Sequence, residues 1–527
     1  KVFYLDEHKK SNIEKMKDRV PFDEFVQFLR RFTLTPAIIQ LSRLSYHLEK
    51  NNQIIREVEF DDPGLIKRRT IISQFALAFL SSQLVISSND FRGKSPSYND
   101  VLLLCNWYNN LEEKRLEKPT LLDILGRISQ EQLPFQEIGF YHFARGYYLV
   151  KEVSRRGGYC NSFDLNSAFL EWCGLNIDEY YWIAWCINSV GFNSDPLFNK
   201  DYFVNHCIND LKDILVNDKL DKFLKINSAD IDTIRKDHDQ VNAKVPKGFE
   251  KYRLNILGRY PIVKLNSSAN RFTDKGFLLA NSRLMMTKIV DGVYWGLRDF
   301  FLSKDTNKQD FVNFWGEIFG KYCGEILTTY YGSDKVLCLD DIGNKLKCKI
   351  ADWIVVTEKE ILIFECKSSL LPLNIRGVFD QNELKKWSKE HFVDSGVKQL
   401  EATEKLIVEN KIDLGSYLSK KRIKKILLTY QNLYIPRPWE DLIRHICFEE
   451  SIIESKSWFE NFHIMSIFDL ELFEKLSFTI SLGKIFDDLR SAPADNFMTI
   501  CKKLYGEKLT NSLLESVKEE FWNKVQH

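Results

Sequence analysis

The spacing of apolar and polar residues divides the chain into a helical half and a mixed half. From residue 1 to about 245, apolar positions recur at helical intervals. Pro21-Phe-Asp-Glu-Phe-Val-Gln-Phe-Leu-Arg-Arg is one such stretch. Thr35-Pro-Ala-Ile-Ile-Gln-Leu-Ser-Arg-Leu opens another, with Thr35 as N-cap and Pro36 in the first turn. Thr120-Leu-Leu-Asp-Ile-Leu and Ser162-Phe-Asp-Leu-Asn-Ser-Ala-Phe-Leu-Glu-Trp continue the pattern. The longest apolar run, 71–86, contains Ser73, Gln74, Ser81, Ser82 and Gln83, so it reads as a buried helix and not a membrane span. No fixed-period repeat emerges.

The texture changes near Val245-Pro-Lys-Gly. Tyr260-Pro-Ile-Val-Lys-Leu and Gly292-Val-Tyr-Trp-Gly-Leu read as strands. Beyond them the pattern predicts a helix over 311–327, strands over 349–356 and 361–367, a helix over about 396–409, and strands over 425–430 and 463–468. From Ala492 the tail is helical. The expected organisation is a mainly α-helical region over 1–245, a β-containing connector over 246–305, an α/β domain with a mixed central sheet over 306–480, and a helical tail over 481–527.

Composition bounds this picture. A chain of 527 residues allows two to four domains, and 44% hydrophobic with 13% aromatic residues is enough for ordinary packed cores. The 11 cysteines form no CxxC pair and no zinc-like cluster with histidine, so they read as buried free thiols of a reducing, cytoplasmic protein. No secretory signal or lipidation motif is visible; the chain opens on Lys1, so a few native residues are expected to precede it. A net charge of +1, from 74 basic and 73 acidic side chains, neither points to a nucleic-acid partner nor excludes one. What binds phosphates is a local basic groove.

The candidate chemistry lies in Lys349-Ile-Ala-Asp-Trp-Ile-Val-Val-Thr-Glu-Lys-Glu-Ile-Leu-Ile-Phe-Glu-Cys-Lys-Ser-Ser. Two β-branched runs flank a polar turn at 357–360, which reads as a hairpin. A tight turn pairs Val356 with Ile361 and Ile354 with Ile363, which sets Asp352 opposite Glu365. Alternation puts Glu365 and Lys367 on one face, with Asp352 on the same face. Opposed residues have Cβ atoms roughly 4.5–5.5 Å apart, so the two carboxylates repel beside an apolar core. A lysine offsets that in part. A hard divalent cation such as Mg²⁺ or Mn²⁺ offsets it better, and would polarise a phosphodiester.

Asp352 followed by Glu365-Cys366-Lys367 at the end of an apolar strand resembles the PD-(D/E)XK nuclease superfamily, with Ala351-Asp352 in place of its Pro-Asp. The resemblance covers about 311–475. It implies a restriction-endonuclease-like fold and a Mg²⁺- or Mn²⁺-dependent cut leaving a 5′-phosphate. Asp352 and Glu365 would be metal ligands and Lys367 the catalytic lysine. The Mrr-like branch carries a further acid on the preceding helix. In Trp315-Gly-Glu-Ile-Phe-Gly-Lys-Tyr-Cys-Gly-Glu that position is Gly320, a departure that leaves Glu317 as the first candidate and Glu325 as its competitor. The glycines at 316, 320 and 324 would let the helix approach the sheet. Gln399, opening the following helix, matches a glutamine that supports the site in several branches. The layout also resembles bacterial phage-defence nucleases, in which a sensing region precedes the nuclease.

Arg376, Lys385, Lys386, Lys389 and Lys398 form a candidate nucleic-acid surface, with Lys420-Lys-Arg-Ile-Lys-Lys as a second basic group. A solvated helix face explains them equally well. Trp387 reads as core. His238, between Asp237 and Asp239, reads as a surface residue. The functional expectation is a metal-dependent endonuclease with DNA favoured. RNA cleavage at the same site and a non-catalytic binding or assembly module are the alternatives, and a homo-oligomer or partner protein is a further expectation.

Overall fold

The computed structural model describes residues 19–526, leaving aside 52, 54, 62–66, 92, 113–120, 123–124, 126–138, 157–162, 194, 202–217, 246, 249, 266–275, 305–306, 373–380, 415–421, 434–435, 454, 493–496 and 506–509. Helices and mixed sheets share the fold, and the chain divides into two compact units. One comprises residues 1–115 and 179–292, the other 116–178 and 293–527. This differs from the four consecutive segments expected, 1–245, 246–305, 306–480 and 481–527. Residues 116–178, part of the helical half, belong with the C-terminal unit.

The first unit is helical with two sheets. Helices Phe22–Leu29 and Leu34–Lys50 lie where helical spacing placed them. The N-cap of the second is Thr33. Thr35 lies inside it, its amide and hydroxyl both bonded to the Asp90 carboxylate at 2.8 and 2.7 Å. The run at 71–86 begins as the end of a strand, Lys67–Ser73, paired antiparallel with Ile55–Asp61; its buried helix starts at Gln74. A four-stranded sheet includes Ile262–Lys264, as expected. His238 is 3% exposed and not on the surface. It sits on an amphipathic helix, Ile231–Asn242, whose buried face it shares with Ile234 and Asn242. The stretch at 292–297 is not a strand either: it lies within the helix Ser282–Ser303. Leu284, Ile289, Val293 and Leu297 fall on its buried face at helical intervals, and that periodicity prevails over the local β-branched and aromatic residues.

The C-terminal unit is built on a five-stranded mixed sheet. Its strands are β1 (Val336–Cys338), β2 (Trp353–Val356), β3 (Glu360–Lys367), β4 (Arg422–Thr429) and β5 (Phe462–Ser466), in the order β5-β4-β3-β2-β1. β4 runs parallel to both β3 and β5, while β1 and β2 are antiparallel to their neighbours. The helix α1 (Lys308–Tyr331) covers one face. The other carries a π-helical stretch, Lys389–Val397, that continues into α2 (Lys398–Val408). Ile354, Ile361 and Ile363 pack there with Val397, Leu400, Ile407 and Leu427 in one apolar cluster, which Trp387 joins as expected.

Across the sheet, α1 meets Trp353, whose Nε1 donates to the Gly320 carbonyl at 3.1 Å. A Cβ at Gly324 would fall inside the Trp353 indole, so only glycine permits this approach. Gly324→Ala is expected to destabilise the unit by about 1–3 kcal/mol, the usual penalty of overpacking. Thermal denaturation reads it out, and an unchanged midpoint would mean the indole has room to withdraw.

Candidate active site on the central hairpin

The hairpin folds in the register that the sequence dictates. Val356 pairs with Ile361 and Ile354 with Ile363. The Thr357 hydroxyl closes the turn from both sides, donating to the Glu360 carbonyl at 3.0 Å and accepting the Glu360 N–H at 3.1 Å. The first strand starts at Trp353, four residues later than expected, because the preceding segment turns to other partners. Ala351 N–H donates to the Thr403 hydroxyl of α2 at 2.8 Å, and the Leu339 N–H donates to the Asp352 carbonyl at 3.0 Å.

Asp352 therefore sits where the ladder ends. Its Oδ2 accepts the Cys366 N–H at 2.6 Å, which fixes the carboxylate beside the end of β3. Glu365 is 1% exposed, with Leu427 as its β4 neighbour. Its Oε1 takes the Lys367 ammonium, while its Oε2 is buried without a hydrogen-bond partner. Lys367 is held from behind. A Cβ at Gly396 would lie 3.6 Å from Lys367 Cε and 2.8 Å from the Leu427 Cδ1, so glycine leaves room for the lysine stem. The backbone at Lys367 is anchored too, its carbonyl accepting the Tyr430 N–H at 2.9 Å.

The electrostatics follow from this placement. Burial, then the neighbouring Asp352 charge, hold the Glu365 carboxyl well above the usual carboxylate range, against the pull of Lys367. Burial also raises Asp352, opposed by the Cys366 N–H and the Lys367 charge. Two crowded carboxyls with one orphaned oxygen and a single ammonium form a site short of positive charge. Hard oxygen donors of this kind suit Mg²⁺ or Mn²⁺. Among the described residues, no three His, Cys, Asp or Glu side chains gather closely enough to enclose a metal. Asp352 and Glu365 thus fit the sparse pattern in which one or two carboxylates hold Mg²⁺ and water and phosphate complete its shell.

The other candidates divide. Gln399 does not reach the hairpin with its amide, which donates to the Ser395 carbonyl at 2.6 Å. Its backbone carbonyl accepts from the Thr403 hydroxyl that holds Ala351. Thr403, which nothing in the sequence pattern singled out, is the direct support. Glu317 lies on α1, across the sheet from Ile354 and Ile363, and pairs with Lys321 at 2.7 Å. Gly316 beside it is level with Ser368, just beyond β3. Glu325 is taken by Arg156 and by the Tyr148 hydroxyl, the latter at 3.0 Å.

The basic surface is less open than its sequence suggests. Lys385 pairs with Glu449 at 2.6 Å, Lys389 with Glu450 at 2.8 Å, and Lys398 with Asp394 at 2.6 Å. Lys386 is exposed, and Arg376 lies outside the described residues. Of the second basic group, Lys424 and Lys425 are 1% and 2% exposed and cannot line a groove. Adjacent on a central strand, they point to opposite faces and pair with Asp487 at 2.8 Å and Glu404 at 2.9 Å. Among the described residues nine cysteines are free; most are buried as expected, but Cys338 and Cys348 are exposed.

No helix among the described residues is long and apolar enough to cross a membrane. Comparisons with protein-family models, curated proteins and solved structures return no match.

Proposed function

We propose that the C-terminal unit is a divalent-metal-dependent nuclease of the PD-(D/E)XK kind, built on a restriction-endonuclease-like core and hydrolysing phosphodiesters, with DNA as the first substrate and RNA as the alternative. The observation that carries this reading is the Glu365 carboxylate: buried, crowded by Asp352, and with one oxygen unpartnered. A charge-deficient pocket of this kind is expensive to maintain unless a cation fills it. In this reading Asp352 and Glu365 hold Mg²⁺ or Mn²⁺. When bound, the cation supplies Lewis-acid polarisation of the phosphodiester and a lowered pKa for water. Lys367, paired with Glu365, would orient the incoming water and stabilise charge developing on the phosphate. Thr403 and the Cys366 N–H keep Asp352 aligned. A sensing role for the N-terminal unit, in antiviral defence, belongs to the same proposal.

The ion pairs of Lys385, Lys389 and Lys398 favour a second reading, a non-catalytic module or a nuclease restrained until those lysines are released. Incubation of the purified chain with plasmid DNA and with RNA, under Mg²⁺, Mn²⁺ or EDTA, separates the readings. EDTA-sensitive cleavage that falls about 10³-fold or more in Glu365→Gln is expected. Cleavage that survives that substitution would remove the site from the reaction.

A further inference from the structure

β3 ends at Lys367, but the chain stays extended beyond it. The Tyr430 N–H donates to the Lys367 carbonyl at 2.9 Å, and the Leu371 N–H donates to Gln431 Oε1 at 3.0 Å, so residues 367–371 follow the continuation of β4. Alternation then sends Ser368 and Ser369 to opposite faces of the sheet. Ser368 meets α1, its Oγ 3.7 Å from where a Cβ on Gly316 would lie. Ser369 falls on the face of Glu365 and Lys367, against the π-helical stretch Lys389–Val397. There its Oγ lies 3.1 Å from His391 Nδ1. Gly396, one π-turn after His391, is the residue that leaves room for the Lys367 stem. One turn of the same helix therefore stands beside both Lys367 and Ser369.

We propose that the Ser369 hydroxyl binds the phosphate next to the scissile one, and that His391 orients it. The inference rests on the nuclease reading above. Glu365, Lys367 and Ser369 form a row, with Ser369 about 6.6 Å beyond Lys367 along the strand, the scale of one nucleotide step. With its proton on Nδ1, His391 donates to Ser369 Oγ and leaves the hydroxyl proton for a phosphate oxygen. Serine hydroxyls are ordinary phosphate contacts, which fix the register of a strand and carry no sequence information. Ser369 is half-buried, so its hydroxyl is reachable from solvent. The imidazole is steadied on its own helix. The Trp387 ring lies 5.0 Å from it, centroid to centroid, and the Ser395 hydroxyl donates to the His391 carbonyl at 2.8 Å. π-Helical turns are rare and recur at functional sites. In this arrangement Ser369 touches the substrate, and His391 is a positioning residue that acts through it.

The test is steady-state cleavage of plasmid DNA and of RNA by the full chain with Mg²⁺, beside fluorescence anisotropy of labelled DNA and RNA in EDTA. Ser369→Ala is expected to raise KM about tenfold and to weaken binding by the same factor, the scale of one hydrogen bond to a charged group. Its kcat should stay within about twofold of the parent, because the contact is equal in ground state and transition state. His391→Leu should move KM the same way. His391→Asn, whose amide can replace Nδ1 beside the hydroxyl, should stay near the parent. Adding His391→Leu to Ser369→Ala should cost nothing further, since both remove one contact. A merely structural histidine would instead add its effect to that of Ser369→Ala. Parent-like KM and binding in Ser369→Ala, with Glu365→Gln still inactive, overturn this inference and leave the nuclease site standing. A fall in kcat at unchanged KM overturns it too, by placing the hydroxyl in the chemical step. A parent chain that neither binds nor cuts either polymer overturns both readings.

Discussion

Lys367→Ala is expected to lower metal-dependent cleavage by about 10²–10³-fold while leaving the cation bound, the scale of losing one preorganised group that stabilises transition-state charge. The separation follows from what Lys367 touches. Its ammonium lies on Glu365 Oε1, where it partly relieves two crowded carboxyls. A cation competes for the same carboxylate, so removing the lysine removes a repulsion, and Mn²⁺ affinity should hold or rise. Without metal the variant should be less stable than the parent, because Glu365 then lies buried with no counter-charge. The pH dependence has a definite sign. Glu365 binds its proton more tightly folded than unfolded, so its charged form opposes folding. Metal-free stability should fall as pH rises from the ordinary glutamate range through the raised folded value, more steeply in Lys367→Ala. Mn²⁺ should restore it. Thermal melts in EDTA and in Mn²⁺, at about pH 5 and pH 8, read both effects. Loss of cleavage with loss of Mn²⁺ binding would instead make Lys367 a structural support.

The hairpin was legible because everything that sets it is local. A four-residue polar turn between alternating β-branched runs fixes the register, and register alone brings Asp352, Glu365 and Lys367 to one edge. The glycine face of α1 was legible for the same reason, and Gly324 does admit Trp353. Two of the ion pairs had a signal within reach. Glu317 and Lys321, like Asp394 and Lys398, are four residues apart on helical turns, a spacing that pairs them before any groove is considered. The rest depends on partners remote in sequence. Glu449 and Glu450 claim Lys385 and Lys389 from across the unit, and Asp487 and Glu404 allow Lys424 and Lys425 to be buried. β1 is three residues long and half exposed, so its pairing leaves no periodic trace.

Arg145→Met is expected to destabilise the C-terminal unit by about 3–5 kcal/mol, the usual consequence of stranding one partner of a buried ion pair. Arg145 lies on the helix Phe140–Lys151, in the stretch whose sequence pattern resembles the N-terminal helices. Its Nη1 donates to both oxygens of Glu471, at 3.0 and 2.9 Å, with the two side chains 2% and 0% exposed. The Tyr322 hydroxyl of α1 donates to Glu471 Oε1 at 2.7 Å, and the Tyr330 hydroxyl donates to the Glu471 carbonyl at 2.9 Å. Asn511 adds its amide to that carbonyl at 3.2 Å. The guanidinium also stands over the Tyr430 ring, 5.4 Å from its centroid, and the Tyr430 N–H holds the backbone of Lys367. The same arginine thus joins three segments remote in sequence, and it is one of the contacts that tie residues 116–178 to this unit. Removing it leaves Glu471 with its charge opposed by burial and relieved only by Tyr322 and its own protonation. The double substitution Arg145→Met with Glu471→Met removes both charges and should recover most of the loss. Urea unfolding of the single and double variants, followed by tryptophan fluorescence, measures the difference. A double variant as unstable as the single would mean that the packing around Tyr322 and Tyr430, and not the charge pair, holds these segments together.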